Sequence, residues 1–338
     1  MTGTLQQTPQ KLFELFDQGT EILQAALRSS YLDAMLENAE NVIDGRVAVE
    51  DGVPDKKTVE QLEKLYQEMH LKDAPAETIR QVLQLSFLKV IRKDSIQANH
   101  QMTPDTIGFL MAFLIEKISK LDRPSTIFDP AVGTGNLLTT IINQLQQASA
   151  EPIHGYGIDN DPAMLEVASA SVALQGLDVD LFHQDAINAL DIPECDLAVA
   201  DLPIGYYPLD QNTKNYKTRA QKGHSYVHHL LIEQAMNYLR PGGFGVFLVP
   251  SNLFQTKEAQ PFIQWMHSVG YLQGLINLPA ELFANQNAQK AILLLQRHGG
   301  KSKQAAKVLL GEFPSFKKPQ EFSAFMQEID QWVQTNLN

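Results

Sequence analysis

Two hydrophobic rhythms divide the chain. Over the first ninety or so residues, apolar side chains recur every three or four positions, as at Val59, Leu62, Tyr66 and Met69. That spacing gathers them on one face of a helix. Thr8-Pro9 and Ala74-Pro75 mark helix starts, because proline is tolerated at the first helical position, where an N–H has no partner anyway. Residues 41–57, with Gly45, Gly52 and Pro54, read as a loop between helical pairs. The expectation is a helical domain over residues 1–95 that packs on the remainder, or serves as a partner-binding or dimerising module.

From about residue 103 the rhythm changes. A helix from Pro104 to Lys120 leads into seven short apolar runs: STIFD, IHGYGID, VDLFH, CDLAVAD, FGVFLVP, LQGLINL and KAILLLQ. Helical stretches separate most of them. Strands alternating with helices predict βαβ units, and unbroken apolar cores such as VFLV and AILLL predict strands buried on both faces of a mostly parallel sheet. The fold class expected for residues 96–338 is α/β with seven strands. An amphipathic helix from about Gln320 to Thr335 caps it.

Composition narrows the function. Among 338 residues, 27 Lys and Arg stand against 39 Asp and Glu, a net charge of −12. Such a surface repels a phosphate backbone on average, so nucleic-acid contact requires a local basic patch. The single cysteine, Cys195, excludes an internal disulfide and a cysteine-rich zinc module. It precedes a buried run and reads as packing. The opening residues lack the basic and apolar regions of a signal peptide, and no apolar run reaches the ~18 residues of a membrane span. A cytoplasmic location is expected, with no membrane partner.

Candidate chemistry begins at DPAVGTGNLLTTI, residues 129–141, where Gly133 and Gly135 fall between a strand and a helix. Glycines there permit a tight turn and close approach of a ligand to the backbone. A dinucleotide fingerprint would place a further glycine at position 138, which is Leu138, and the Gly-Lys-Ser/Thr of a Walker loop is missing. Asp129 before the turn would repel a pyrophosphate and suits a cationic or hydrogen-bond-donating ligand end. Asp159 closes the next run, 24 positions beyond Gly135, where an acid takes ribose hydroxyls. S-adenosylmethionine combines a cationic end, a ribose and an adenine.

The segments MTPDTIGFLMAFLI, DPAVGTGN, GIDNDP, HQDAI, DLPIGYYP, LRPGGFGVFLVPSNLF and INLPAELF follow in that order. From Gln101 to His298 the chain resembles the class I S-adenosylmethionine-dependent methyltransferase fold, specifically the adenine-N6 DNA methylase family with its type I modification subunits. The leading helices resemble that family more loosely. The resemblance implies that Thr103 and Pro104 contact the methionine end of S-adenosylmethionine. It implies that the turn from Ala131 through Gly133 and Gly135 to Asn136 wraps that end, beside Asp129. Asp159 with Asn160 would hold the ribose, and Asp185 with the Ala186 N–H would meet the adenine. Asp185 has a second reading as a helix N-cap.

DLPI, residues 201–204, stands where the family carries Asn-Pro-Pro-Phe. The resemblance implies that Asp201 accepts one N–H of an exocyclic amino group and that the carbonyl of Leu202 or Pro203 accepts the other. Two such acceptors localise a lone pair otherwise delocalised into the ring. Leu202 replaces the first proline and Ile204 the stacking aromatic, a loss of ~1–3 kcal/mol of base binding. Tyr206 or Tyr207 is the candidate replacement.

Beyond DLPI, Lys214, Lys217, Arg219 and Lys222 face one acid, Asp210, and Tyr206, Tyr207, Tyr216 and Tyr226 interleave with them. Basic plus aromatic residues suit a phosphate-bearing, π-faced substrate; a solvated, mobile surface loop is the alternative. His224, His228 and His229 lack HExxH spacing and an obvious third ligand, so no metal is expected. Ser225 and Ser251 have no His/Asp partnership in the sequence. The reading is an S-adenosylmethionine-dependent methyltransferase of the adenine-N6 type acting on DNA. Its alternatives are a catalytically impaired cofactor-binding scaffold or sensor, and transfer to another amino group, on an RNA base or a protein glutamine. No target-recognition domain is visible, which implies a separate specificity subunit. The N-terminal helices are a candidate homodimer surface.

Overall fold

The computed structural model describes residues 8–94, 102–283 and 288–337. The domain boundary expected at 95/96 lies outside them. Four helices come first: α1 Pro9–Leu27, α2 Tyr31–Asp44, α3 Lys56–Met69 and α4 Ala76–Lys93. Side chains cap the first three, satisfying N–H groups that have no partner within the helix, while α4 follows Pro75 without a side-chain cap. Thr8 accepts from the Lys11 N–H, Ser30 and Asp33 form a reciprocal capping box, and Asp55 accepts from Thr58. The loop is shorter than expected, because α2 runs on to Asp44 and stops at Gly45, whose φ of 71° ends the helix.

The remaining elements are α5 Asp105–Ile118, β1 Ser125–Asp129, α6 Asn136–Ala148, β2 Ile153–Asp159, α7 Pro162–Gln175, β3 Val179–His183, β4 Cys195–Asp201, α8 Val227–Asn237, β5 Leu239–Pro250, α9 Ala259–Val269, β6 Gly270–Asn277, β7 Lys290–Arg297, β8 Leu309–Glu312 and α10 Pro319–Asn336. The strands form one sheet in the order β3-β2-β1-β4-β5-β7-β6-β8. All pairings are parallel except those of β7, which runs antiparallel to both β5 and β6. The sheet has eight strands, against seven expected. The added strand, LLGE, is a largely exposed edge paired through β6 alone, so it carries neither the apolar run nor the alternation that marks a strand in sequence.

Alternate residues of each central strand enter opposite cores, as a two-residue period requires. Ile127, Leu197, Val199 and Leu248 pack with α5, α6 and α10; Phe128, Ala198, Ala200 and Phe247 pack with α8 and α9. Helix α10 buries Ile329, Trp332 and Val333 in the first core, the capping role its periodicity predicted. Helix α7 is buried on two sides, leaving one exposed stripe at Pro162, Glu166, Ser169 and Ala173. Leu165 joins the sheet core, while Met164, Val167, Ala170 and Leu174 meet Leu15, Phe16, Met35 and Phe87 of the helical unit. No described helix is long and apolar enough to cross a membrane.

Strand order reverses between β1 and β4. At such a switch point the connections leave in opposite directions and open a crevice at the carboxyl ends of the strands.

Candidate functional site

Three strands bordering that crevice end in aspartate: β1 in Asp129, β2 in Asp159 and β4 in Asp201. Asp185 follows β3 by two residues. The four carboxylates line one cleft of about 730 Å³. Thr103, Pro104, Ala131, Gly133, Asn136, Asn160, Ala186, Leu202 and Pro203 share its wall, so all but one of the residues proposed for cofactor binding converge there. The exception is Gly135. A Cβ at Gly135 would sit 3.3 Å from Ala168 Cβ, so this glycine serves the turn and the seating of α6 on α7. Gly133 has a φ of 53° and nothing within 4 Å of a would-be Cβ, leaving its backbone open to a ligand.

The acids differ in what already occupies them. Asp129 is 1% exposed, and its Oδ1 accepts from the Ala131 N–H at 3.0 Å. Burial raises its pKa to about 8, and the charges of Asp159 and Asp201 push the same way against that hydrogen bond. A carboxyl in that position favours a cation over water. Asp159 accepts from the N–H of Gly133 at 2.8 Å and of Asp161 at 2.9 Å, one donor on each oxygen, which leaves lone pairs on both. Asp185 accepts from the Ile187 N–H at 3.0 Å and from the Tyr207 hydroxyl at 2.5 Å. No α-helix follows Asp185; the chain turns there, and Asn188 donates back to the Asp185 carbonyl. With Val132, Met164, Ile187 and Leu231 as apolar wall, the donor set fits S-adenosylmethionine: a buried acid for its ammonium, accessible acceptors for hydroxyls, and a greasy slot for a flat ring.

Asp201 is held from two sides. Thr103 Oγ1 donates to its Oδ2 at 2.8 Å, and Lys290 Nζ donates to its Oδ1 in an ion pair. Lys290 opens β7 opposite Pro250 at the end of β5. Sequence reasoning missed it: a lysine heading an apolar run carries no local sign of a partner 89 positions away. Leu202 is fully buried and donates its N–H to Leu248, anchoring the strand end. Ile204 is 57% exposed on the cleft wall.

The tyrosines divide. Tyr207 is buried with its hydroxyl between Asp185 and Asn212, so its ring belongs to the cleft wall and its hydroxyl is committed to Asp185. Burial, reinforced by Asp185, pushes its pKa up to about 12. Tyr206 is 60% exposed, lies outside the cleft wall, and stacks on Tyr226 with ring centroids 4.8 Å apart. Lys214, Lys217 and Arg219 are exposed and do not line the cleft.

Their segment is not a loose loop. Tyr207 and Ser225 share a backbone bond, the Val227 N–H reaches the Gly205 carbonyl, and Tyr216 donates to the Ile187 carbonyl at 2.7 Å. The buried carboxylate of Glu233 accepts the N–H groups of Lys217 and Thr218 at 2.9 and 2.7 Å. His228 and His229 are buried on α8, and burial depresses their pKa values to about 4 and about 3. His229 stacks on Phe262 at 4.4 Å. Among the described residues no group of three His, Cys, Asp or Glu is placed to hold a metal. Cys195 is buried, and burial raises its thiol to about 11, far from a reactive thiolate. Leu282 and Phe283 of INLPAELF contribute to the cleft wall.

Comparison with known proteins places this geometry in a lineage. A family model described as N-6 DNA Methylase matches residues 90–334, and one described as the YtxK N-terminal helical domain matches residues 10–91. The uncharacterized protein YtxK of Bacillus subtilis is 34% identical over 321 residues, covering 95% of this chain and 96% of that protein. A crystal structure from Listeria monocytogenes, of a candidate class I S-adenosylmethionine-dependent methyltransferase, is 37% identical. It superposes with a TM-score of 0.88 over 96% of this chain and 98% of that one. The methyltransferase subunit of a type I restriction-modification system from Streptococcus thermophilus is 12% identical, with a TM-score of 0.69 over 96% of this chain and 94% of that one, a likeness of fold. With matching sequence over most of its length and the carboxylate-lined switch point in place, the chain belongs to the N-6 DNA methylase family of S-adenosylmethionine-dependent class I methyltransferases.

Proposed function

We propose that the protein is an N-methyltransferase that uses S-adenosylmethionine and acts on the exocyclic amino group of adenine in DNA. The observation that carries this reading is the convergence of Asp129, Asp159, Asp185 and Asp201 on one cleft at the β1/β4 switch point. When bound, S-adenosylmethionine supplies an electrophilic sulfonium methyl. Asp129 would face its ammonium, with Thr103, Pro104, Ala131, Gly133 and Asn136 around the methionine end. Asp159 and Asn160 would take the ribose, and Asp185 and Ala186 the adenine.

Asp201 would accept from the acceptor amino group, and the carbonyl of Leu202 or Pro203 lies next along the chain. Each carboxylate oxygen retains a lone pair beyond its bond to Thr103 or Lys290. The exposed Lys214, Lys217 and Arg219 and the Tyr206–Tyr226 stack would face a phosphate-bearing, π-faced substrate. A specificity subunit would supply sequence recognition, by analogy with type I systems, and the N-terminal helices remain a candidate homodimer surface. A second reading, a cofactor-binding sensor that no longer transfers methyl, is favoured by one observation: both oxygens of Asp201 already have protein partners.

Transfer of label from methyl-labelled S-adenosylmethionine to DNA, RNA and extract protein distinguishes them, with Asp201→Ala in parallel and nucleoside digestion to locate the methyl. N6-methyladenine in DNA that disappears in the variant is the expected result. Label in RNA or protein moves the acceptor, and no transfer despite calorimetric cofactor binding points to a missing specificity subunit or to the sensor.

A further inference from the structure

One buried cation ties the helical domain to the cleft. Arg80 on α4 is 1% exposed, and all five of its N–H groups are engaged. Nε and Nη2 donate to Glu77 at 2.8 and 2.6 Å; Nη2 and Nη1 donate to Asp105 at 2.8 and 2.9 Å; and Nη1 also donates to Asn136 Oδ1 at 2.7 Å. Glu77 and Asp105 account for four of these bonds and more than balance the charge. The fifth goes to a neutral amide at the start of α6, 56 residues away, on the cleft wall.

That amide is bound on both sides. With Oδ1 taken by Arg80, Asn136 turns its Nδ2 to the Thr103 carbonyl at 2.9 Å, and Thr103 in turn donates its hydroxyl to Asp201. Arg80, Asn136 and Thr103 are each nine-tenths buried or more. A side-chain amide with one partner can flip between its two orientations; with a cation on one atom and a carbonyl on the other it has one orientation.

Resting on the cofactor reading above, we infer that Arg80 is a positioning residue of the methyl-donor site. Through Asn136 it fixes the Thr103–Pro104 segment over the cleft, which makes the helical domain a working part of the site. Lysine cannot replace it, because a point charge on a flexible stem does not reach three partners as a planar fork does.

The test is calorimetric affinity for S-adenosylhomocysteine together with thermal unfolding, in wild type, Arg80→Lys and Glu77→Gln. Arg80→Lys keeps a cation between the two carboxylates and loses the bond to Asn136. Glu77→Gln weakens the ion pair and leaves that bond in place. The expected result separates affinity from stability: Arg80→Lys binds about tenfold more weakly, and Glu77→Gln lowers Tm while its affinity stays within twofold. Affinity within twofold in Arg80→Lys overturns the inference, as does a loss in both variants that tracks Tm.

Should Arg80→Lys not fold, the combined variant Arg80→Met, Glu77→Gln, Asp105→Asn removes cation and carboxylates together. It too is expected to bind about tenfold more weakly, and wild-type affinity there overturns the inference. A wild-type chain that binds no S-adenosylhomocysteine overturns the cofactor reading and this inference with it. Wild-type binding with an unaffected Arg80→Lys overturns this inference alone.

Discussion

Replacing Asp129 by Asn tests whether the buried acid awaits a cation. The Asp129 carboxyl is 1% exposed and has a single N–H donor, with a pKa raised to about 8 chiefly by burial. At pH 7 it is therefore mostly protonated. Pairing with an ammonium requires it to ionise, at ~1.4 kcal/mol for the one unit between pH 7 and its pKa. Affinity for S-adenosylmethionine should accordingly rise about tenfold between pH 7 and pH 9 through this group. Close to one proton should be released per binding event at pH 7 and almost none at pH 9.

The free ligand's own amine titrates identically in both experiments, so the difference between wild type and Asp129→Asn reports the carboxyl together with its hold on the bound ammonium. Calorimetry in two buffers of different ionisation heat measures both affinity and proton release. The stability of the cofactor-free fold runs the opposite way. The pKa of this acid is raised on folding, so its contribution is full below pH 4 and is lost as pH climbs through 8. Wild type should lose Tm relative to Asp129→Asn over that interval. Identical pH slopes and identical proton release in the two proteins would refute the reasoning.

Two further outcomes follow from the same geometry. Lys290→Met strips Asp201 of its cation and should cost ~1.5–3 kcal/mol in kcat/KM for methyl transfer, the worth of a charge-assisted hydrogen bond; a gain in activity would instead mark Lys290 as a block on the acceptor site. Glu233→Ala leaves the N–H groups of Lys217 and Thr218 without their carboxylate and should cost ~3 kcal/mol of local stability. Limited trypsin digestion reads this out as faster cleavage after Lys214, Lys217 and Arg219, and an unchanged rate would show the segment to be held by other contacts.

Much of this molecule is written locally. Apolar runs such as IFD, AVA and AILLL became buried strands because a strand covered on both faces has no polar position to spare. Asp129, Asp159 and Asp201 could be read as one site because each ends a strand, and parallel strands deliver their ends to the same edge of a sheet. Strand β8 escaped because its stability comes from a neighbour rather than from its own pattern.

What sequence reasoning missed is the pairing of charges across long separations. Lys290 meets Asp201 only because β7 inserts antiparallel between β5 and β6 and brings its first residue to the end of β5. Tyr207 directs its hydroxyl to Asp185 because the chain after Gly205 folds back on α8. Arg80 sits on a helical face that reads as ordinary packing, yet the docking of α4 beside α6 carries it to Asn136. Hydrophobic patterning is a property of neighbours along the chain, and so it is visible in one dimension. The partner of a buried charge is a property of which surfaces meet, and only the tertiary structure decides that.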